Sequence, residues 1–200
     1  MIPQKRHTSL QPLSREHHQA LLLCWKFRQG FAKGVEPERM KKYADWFWTT
    51  YLAPHFVAEE KTFFPILATD HPGILKALKQ HKDIKAMFHS KDSDIAYTLR
   101  QIAFELEQHI RFEERELFND IQEAASPVQL EELAKLHTEE KFQENIEDMF
   151  WVEEAEEKKE LKSAAKKELE NRTFKSGNTT ANTGKRERKA VRPENRGNSR

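Results

Sequence analysis

The sequence predicts an all-α protein: an antiparallel up-down four-helix bundle with an additional C-terminal helix and a disordered tail. Three observations carry this expectation. Apolar residues recur at helical spacing through most of the first 150 positions, alternating strand-like runs are nearly absent, and short polar connections separate the periodic segments.

The first helix is expected to start near Leu10 or at Ser14, which can cap it, and to stop between Gly30 and Gly34. The second opens at Pro37, a residue tolerated in a first helical turn, and runs to about Leu67 with a kink at Pro54. The third follows the His71-Pro72-Gly73 breaker and ends near Ser90; the fourth takes Ser93 or Asp94 as its cap and reaches about Ala125. Ser126 and Pro127 open a fifth helix from Val128 to about Phe150, with a sparsely apolar, solvated continuation to residue 170. The domain plan is therefore 1–125 bundle, 126–170 accessory helix and 171–200 basic tail.

Charge separates the tail from the rest. From Asn171 onward nine Lys and Arg stand against Glu187 and Glu194, a net +7, which leaves −6 for the first 170 residues of a chain whose net charge is +1. An acidic folded part offers no basic face to nucleic acid, so any such contact is expected to be weak and confined to the tail, which is rich in Gly, Asn, Thr and Arg. No run approaches the roughly 20 apolar residues that cross a bilayer, and the N-terminal stretch lacks a signal-peptide core. Cys24 is the only cysteine, so no disulfide forms within the chain. A cytoplasmic setting is the expectation.

The chemistry lies on the predicted apolar seams. They read Leu10, Leu13, His17, Ala20, Cys24, Phe27, Phe31; then Met40, Ala44, Phe47, Tyr51, His55, Glu59, Phe63, Ile66; then Ile74, Leu78, His81, Lys85, Phe88; then Ile95, Leu99, Ile102, Leu106, His109, Glu113, Leu117. Each helix thus puts a histidine on its apolar face, and two follow it with a glutamate one turn later. A buried carboxylate without a partner costs several kcal/mol, and no seam position supplies an arginine. A metal ion would provide the missing counter-charge. Imidazole and carboxylate without thiolate suit iron, manganese or zinc. A lone seam histidine is usually an ordinary core residue, but four on four helices, two of them paired with Glu at one offset, favour metal.

The segments HFVAEEKTFFPIL and HIRFEERELFNDI resemble the paired His-x-x-x-Glu elements of the hemerythrin-like family, the HHE cation-binding domain, and PLSREHHQALLLCWKFRQG resembles its first helix. The resemblance covers roughly residues 8–125. It implies His17, His55, Glu59, His81, His109 and Glu113 as metal ligands, with Glu59 and Glu113 bridging two non-haem irons joined by an oxo or hydroxo group, manganese or zinc being alternatives. His18 is the alternative to His17. Glu60 and Glu114 point about 100° away from the ligand stripe and read better as solvated or supporting carboxylates than as ligands.

The chain also departs from oxygen-carrying hemerythrins. Lys85 stands where the third helix of those proteins has a second histidine, and Glu114 where the fourth has an aspartate. A missing ligand leaves an exchangeable position or recruits another side chain, for which Tyr97 is the candidate. The resemblance therefore implies a site that binds or senses O2, NO or redox state, or buffers iron, more than an enzyme. One alternative is a di-iron oxidase or peroxidase acting on peroxide, or an iron donor for cluster repair; the other is a metal-stabilised interaction module. Ferritin-like enzymes use Glu-x-x-His pairs, and none occurs here. His7, His71, His89 and His137 read as ordinary residues, the Trp46, Phe47, Trp48, Tyr51 group as packing, and Cys24 as an inert core thiol.

Overall fold

A computed structural model describes residues 5–136, 142–152 and 166, and these contain helices and no strand. The chain divides into two units, Met1–Lys158 and Lys159–Arg200. The second is described only at Lys166, which is helical and exposed. The rest of the expected continuation to residue 170, the tail from 171 and His137 lie outside the described residues. No helix among the described residues is long and apolar enough to cross a membrane.

Helix α1 spans Gln11–Ala32 behind a 3-10 turn, Thr8–Leu10. It ends where Gly34 takes φ 65° and Val35 N–H donates back to Gly30 C=O at 2.9 Å, the Schellman closure that only glycine adopts without strain. Helix α2 is continuous but changes its winding: Pro37–Phe47, a π-helical Trp48–Leu52, Ala53–Ala58, a second π segment Glu59–Phe63 and a 3-10 end, Phe64–Ile66. The kink expected at Pro54 is taken up as the first π turn, with Ala53 N–H donating five residues back to Trp48. Helix α3 is Pro72–Phe88. Helix α4 runs through Ile95–Phe112, a π segment Glu113–Leu117 and Phe118–Ala124. Asp94 caps it by accepting from Tyr97 N–H at 2.9 Å. Helix α5, Pro127–Leu136, opens with a reciprocal cap between Ser126 and Gln129.

Helix α1 packs along α4, α4 along α3, and α2 against both α1 and α4. Two apolar clusters fill the interior. One joins Leu23, Phe27, Met40, Phe47, Ile84, Leu99 and Leu106; the other joins Leu10, Leu13, Phe63, Ile74, Leu117 and Phe118. Along each long helix a site residue falls between the two clusters: His17 between Leu13 and Ala20, Glu59 between Phe56 and Phe63, His81 between Ala77 and Ile84, and Glu113 between Ile110 and Leu117. A polar layer thus divides the core. The third seam differs from expectation by about one residue, because Leu78 and Lys85 are exposed and Ala77 and Ile84 are buried.

The fifth helix was expected to reach Phe150, yet residues 142–152 form a non-helical strap. Long-range contacts overrule its helical spacing. Met149, Phe150 and Trp151 bury themselves against the first cluster, and Gly30 is the point of approach, since a Cβ there would lie 2.8 Å from Phe150 Cε2. The buried Lys26 ammonium donates to Tyr43 and Glu144 and lies 4.1 Å from the Trp151 ring centroid, while Tyr43 donates to Glu144 at 2.5 Å. Arg39 adds a two-pronged pair with Asp148, Nε–H donating to Oδ2 at 2.7 Å and Nη2–H to Oδ1 at 2.5 Å. Removing Glu144 leaves a buried ammonium without its counter-charge. Chemical denaturation of Glu144→Ala should show a loss of about 3 kcal/mol, most of it restored by Lys26→Met in the same background.

Candidate metal centre

Each side chain of the polar layer arrives by helical spacing. His55 and Glu59 lie one turn apart on α2, His109 and Glu113 one turn apart on α4, and both glutamates open a π segment. An i→i+5 turn widens the helix just there, and Phe64 N–H and Phe118 N–H donate back to Glu59 and Glu113. With His17 from α1 and His81 from α3, the six side chains are all buried, and both carboxylates have zero exposure.

Their inner atoms converge. Glu59 Oε1 lies 3.3 Å from His55 Nε2 and 3.5 Å from His17 Nε2, while Glu59 Oε2 lies 3.4 Å from His81 Nε2. Glu113 Oε2 lies 3.2 Å from His17 Nε2 and 3.3 Å from His109 Nε2. Neither oxygen of Glu59 or Glu113, nor Nε2 of His17 or His55, has a hydrogen-bond partner. These atoms form two groups able to hold a metal ion, Glu59 with His81, His109 and Glu113, and Glu59 with His17 and His55.

The outer nitrogens explain the orientation of the rings. His17 Nδ1–H donates to Glu114 at 2.8 Å and His81 Nδ1–H to Glu60 at 2.8 Å. His55 Nδ1–H donates to Glu16 at 2.6 Å and His109 Nδ1–H to Gln80 at 3.2 Å. With the proton held on Nδ1, each Nε2 presents a lone pair inward. His81 Nε2 and His109 Nε2 then face each other at 3.2 Å, an arrangement that repels unless a proton or a cation lies between them.

These contacts repeat by halves. Glu16-His17 of α1 corresponds to Gln80-His81 of α3, and His55, Glu59, Glu60, Phe64 of α2 to His109, Glu113, Glu114, Phe118 of α4. Phe118 stacks on His17 with centroids 5.2 Å apart, and Phe64 on His81 at 5.6 Å. Among the four groups that hold the outer nitrogens, the halves differ at one, a carboxylate at Glu16 and an amide at Gln80.

Of the ten residues singled out from the sequence, the structure gathers His17, His55, Glu59, His81, His109 and Glu113, with Glu60 and Glu114 against their outer edges. His18 is exposed and outside the cluster. Tyr97 corrects an expectation: it is 56 % exposed in the first turn of α4, far along the helix from His109, and completes nothing. Sequence reasoning missed Glu16 and Gln80, although each stands directly before a seam histidine. His7 and His71 are capping residues that accept from Ser9 N–H and Gly73 N–H. The buried Cys24 thiol is pushed up to about 12 by desolvation, in keeping with an inert core residue.

Electrostatics shows what the cluster lacks. Burial disfavours charge on His17, but Glu113, Glu114 and Glu59 overcome it and hold its pKa well above the ordinary value. Against the same burial penalty, Glu59 with Glu16 raises His55 to about 8, and Glu59 with Glu60 raises His81 to about 9. His109 is pushed down by burial and by neighbouring imidazoles. Glu59 is held well below the carboxylate range, its own burial overcome by His55, His17 and His81, while burial and the Glu59 charge lift Glu113 to about 7. Without a metal, protons must balance these carboxylates.

Compared with protein-family models, curated proteins and solved structures, the chain matches none. What the centre can do therefore follows from its donors. The buried His/Glu cluster could hold a metal ion.

The pH dependence of the metal-free protein follows in sign. Stability contributed by His55 and His81 is complete below their unfolded value of 6.5 and drains as pH rises through about 8 and about 9. Glu113, lifted from 4.5 to about 7, favours its protonated form in the fold, so it too weakens the fold as pH rises across that interval. Glu59 acts in the opposite sense, but its contribution is already complete above pH 4.5; His109, held below its ordinary value, also acts in the opposite sense, and its contribution is complete above about pH 6.5, so the net decline lies above that value. Thermal melts of metal-free protein should fall by on the order of 10 °C between about pH 6.5 and pH 9.

Proposed function

We propose that this chain is a hemerythrin-like protein: a four-helix bundle whose buried centre holds two metal ions, iron first among them, and binds or senses a small ligand such as O2 or NO. The observation that carries the reading is the set of orphaned inner atoms. Four carboxylate oxygens and the inward nitrogens of His17 and His55 have no hydrogen-bond partners in a layer walled by two apolar clusters. Each unsatisfied buried group of this kind costs on the order of 1–3 kcal/mol, and more when charged.

The spacing supports the same reading. Two donors roughly 2.1 Å from one ion and at right angles are roughly 3 Å apart. The inner contacts of 3.2 to 3.5 Å are close to that separation. Glu59 turns one oxygen towards His17 and His55 and the other towards His81, and Glu113 Oε2 lies between His17 and His109, so both carboxylates reach both halves. His17 and His55 would hold one ion with Glu59, and His81 and His109 the other with Glu59 and Glu113.

Counting donors points to a binding centre. The first ion would receive three protein donors and the second four, so iron or manganese at either would fall short of six ligands. Lys85 and Tyr97 are both exposed, so neither supplies the remainder. When bound, iron would supply reversible ligand binding and redox chemistry. The residues of the chain orient the imidazoles through Glu16, Glu60, Gln80 and Glu114, exclude water with Phe56, Phe64 and Phe118, and exchange protons for metal.

Two measurements check this. Aerobically purified protein should carry about two iron ions per chain, and His55→Ala or Glu113→Ala should each remove at least half. Protein with no stoichiometric metal, before or after anaerobic reconstitution with iron(II), refutes the reading. Metal uptake should also release protons, because His81, His55 and Glu113 are held near 9, 8 and 7 and must deprotonate. Affinity should therefore rise with pH from 6 to about 9, read as dye-detected proton release during titration.

A further inference from the structure

We infer that Trp48 is a redox-active relay: it gives the buried centre an electron when a peroxide reduced there takes more than the metal supplies, and it passes the deficit to the protein surface. The inference rests on the metal centre proposed above. A file of ring contacts carries it. Phe56 stacks on His81, with centroids 3.8 Å apart and planes 8° apart, and meets His109 edge-on at 5.4 Å. The same Phe56 ring meets the Trp48 indole edge-on at 5.9 Å, and Trp48 meets His89 edge-on at 5.5 Å. Phe88, stacked on the indole at 4.9 Å, holds it in place. Trp48 is buried, whereas His89 is exposed just past the end of α3. No step from the His81 imidazole to that exposed side chain exceeds 5.9 Å between ring centres.

Packing asks only that these rings be flat and apolar. What sets Trp48 apart is that its indole gives up an electron far more readily than the phenyl rings beside it. Electron tunnelling weakens steeply with distance, so a residue that can hold the deficit partway replaces one long transfer by two short ones. The other tryptophans are placed less well. Trp151 lies 4.1 Å from the Lys26 ammonium, whose charge opposes loss of an electron. Trp46 packs on Tyr43, Phe47, Tyr51 and Phe142, none of which is a site imidazole, and Trp25 is 44 % exposed. Reducing hydrogen peroxide to water takes two electrons and two protons. A centre with one electron to give loses it as metal(II) becomes metal(III), and Trp48 gives the second and becomes an indole radical cation. A one-electron reductant of the ascorbate class, meeting the surface at His89, returns Trp48 to indole, and both protons come from solvent.

The test uses the full chain loaded anaerobically with iron(II), treated with excess hydrogen peroxide, freeze-quenched for electron paramagnetic resonance and then digested for peptide mass mapping. An indole radical is expected, with oxygen added to the buried Trp48 and not to the exposed Trp25; peroxide acting from bulk solution would give the reverse. Trp48→Phe should lose the indole signal and show more oxidation of His81 and His109. Trp48→Tyr, which keeps an oxidisable ring, should show a phenoxyl signal in its place, and it decides the matter if Trp48→Phe lacks native circular dichroism. An indole radical that survives either substitution, or oxidation confined to Trp25, overturns the inference. A metal-free arm uses Ser90→Cys carrying a ruthenium polypyridyl photo-oxidant, with the buried Cys24 left unlabelled. Flash oxidation of this chain should give an indole radical that Trp48→Phe abolishes. Iron uptake with no radical at Trp48 defeats the relay alone. A Trp48 radical in the photo-oxidised chain, with no iron taken up, supports the route from Trp48 to the surface and counts against the metal centre alone.

Discussion

Two carboxylates set the terms for the rest of this fold. Glu59 and Glu113 are fully buried, no hydrogen bond reaches their oxygens, and no lysine or arginine belongs to their cluster. Helix packing alone does not tolerate that, because desolvating an ion costs several kcal/mol unless a counter-charge replaces the lost water. Four imidazoles answer the need, either as proton carriers or as fellow donors to a cation. Their arrangement across four helices ties each helix to the same few ångströms of interior. The apolar clusters on either side then act as walls that keep water from relieving the charge.

The repeated contacts give that constraint its form. Each His-x-x-x-Glu helix contributes an inner carboxylate, a second carboxylate that holds the histidine of another helix, and a phenylalanine that covers the same ring: Glu60 and Phe64 on His81, Glu114 and Phe118 on His17. The π segments beginning at Glu59 and Glu113 belong to this design, since they occur where each helix turns from its buried His/Glu pair to apolar packing. The difference between Glu16 and Gln80 breaks the symmetry. A carboxylate behind His55 makes that imidazole a stronger donor than an amide makes His109, so the halves are electronically unequal.

Much of this was legible before the structure. Helical spacing and the Gly, Pro and Asp signals marked the four long helices, because those cues are local and agree with one another. The six inner residues were legible for a related reason: a buried glutamate violates the apolar pattern, and two violations at the same offset from histidine are hard to produce by chance. What escaped reading depends on distance in the chain. The strap is non-helical because Lys26, Tyr43 and Arg39 capture Glu144 and Asp148 from more than 100 residues away, which no local pattern encodes. Glu16 and Gln80 escaped because an off-seam polar residue beside a histidine reads as a solvated side chain until another helix is laid against it. Tyr97 was enlisted for a vacancy that its position in the first turn of α4 places out of reach.

The central claim is that the cluster holds two ions together rather than one ion or several protons. X-ray absorption fine structure at the iron edge of the reconstituted protein tests it most directly. The account predicts a shell of nitrogen and oxygen neighbours near 2.1 Å together with iron–iron scattering at roughly 3–4 Å. A nitrogen and oxygen shell with no metal–metal scattering, at full iron loading, would contradict it.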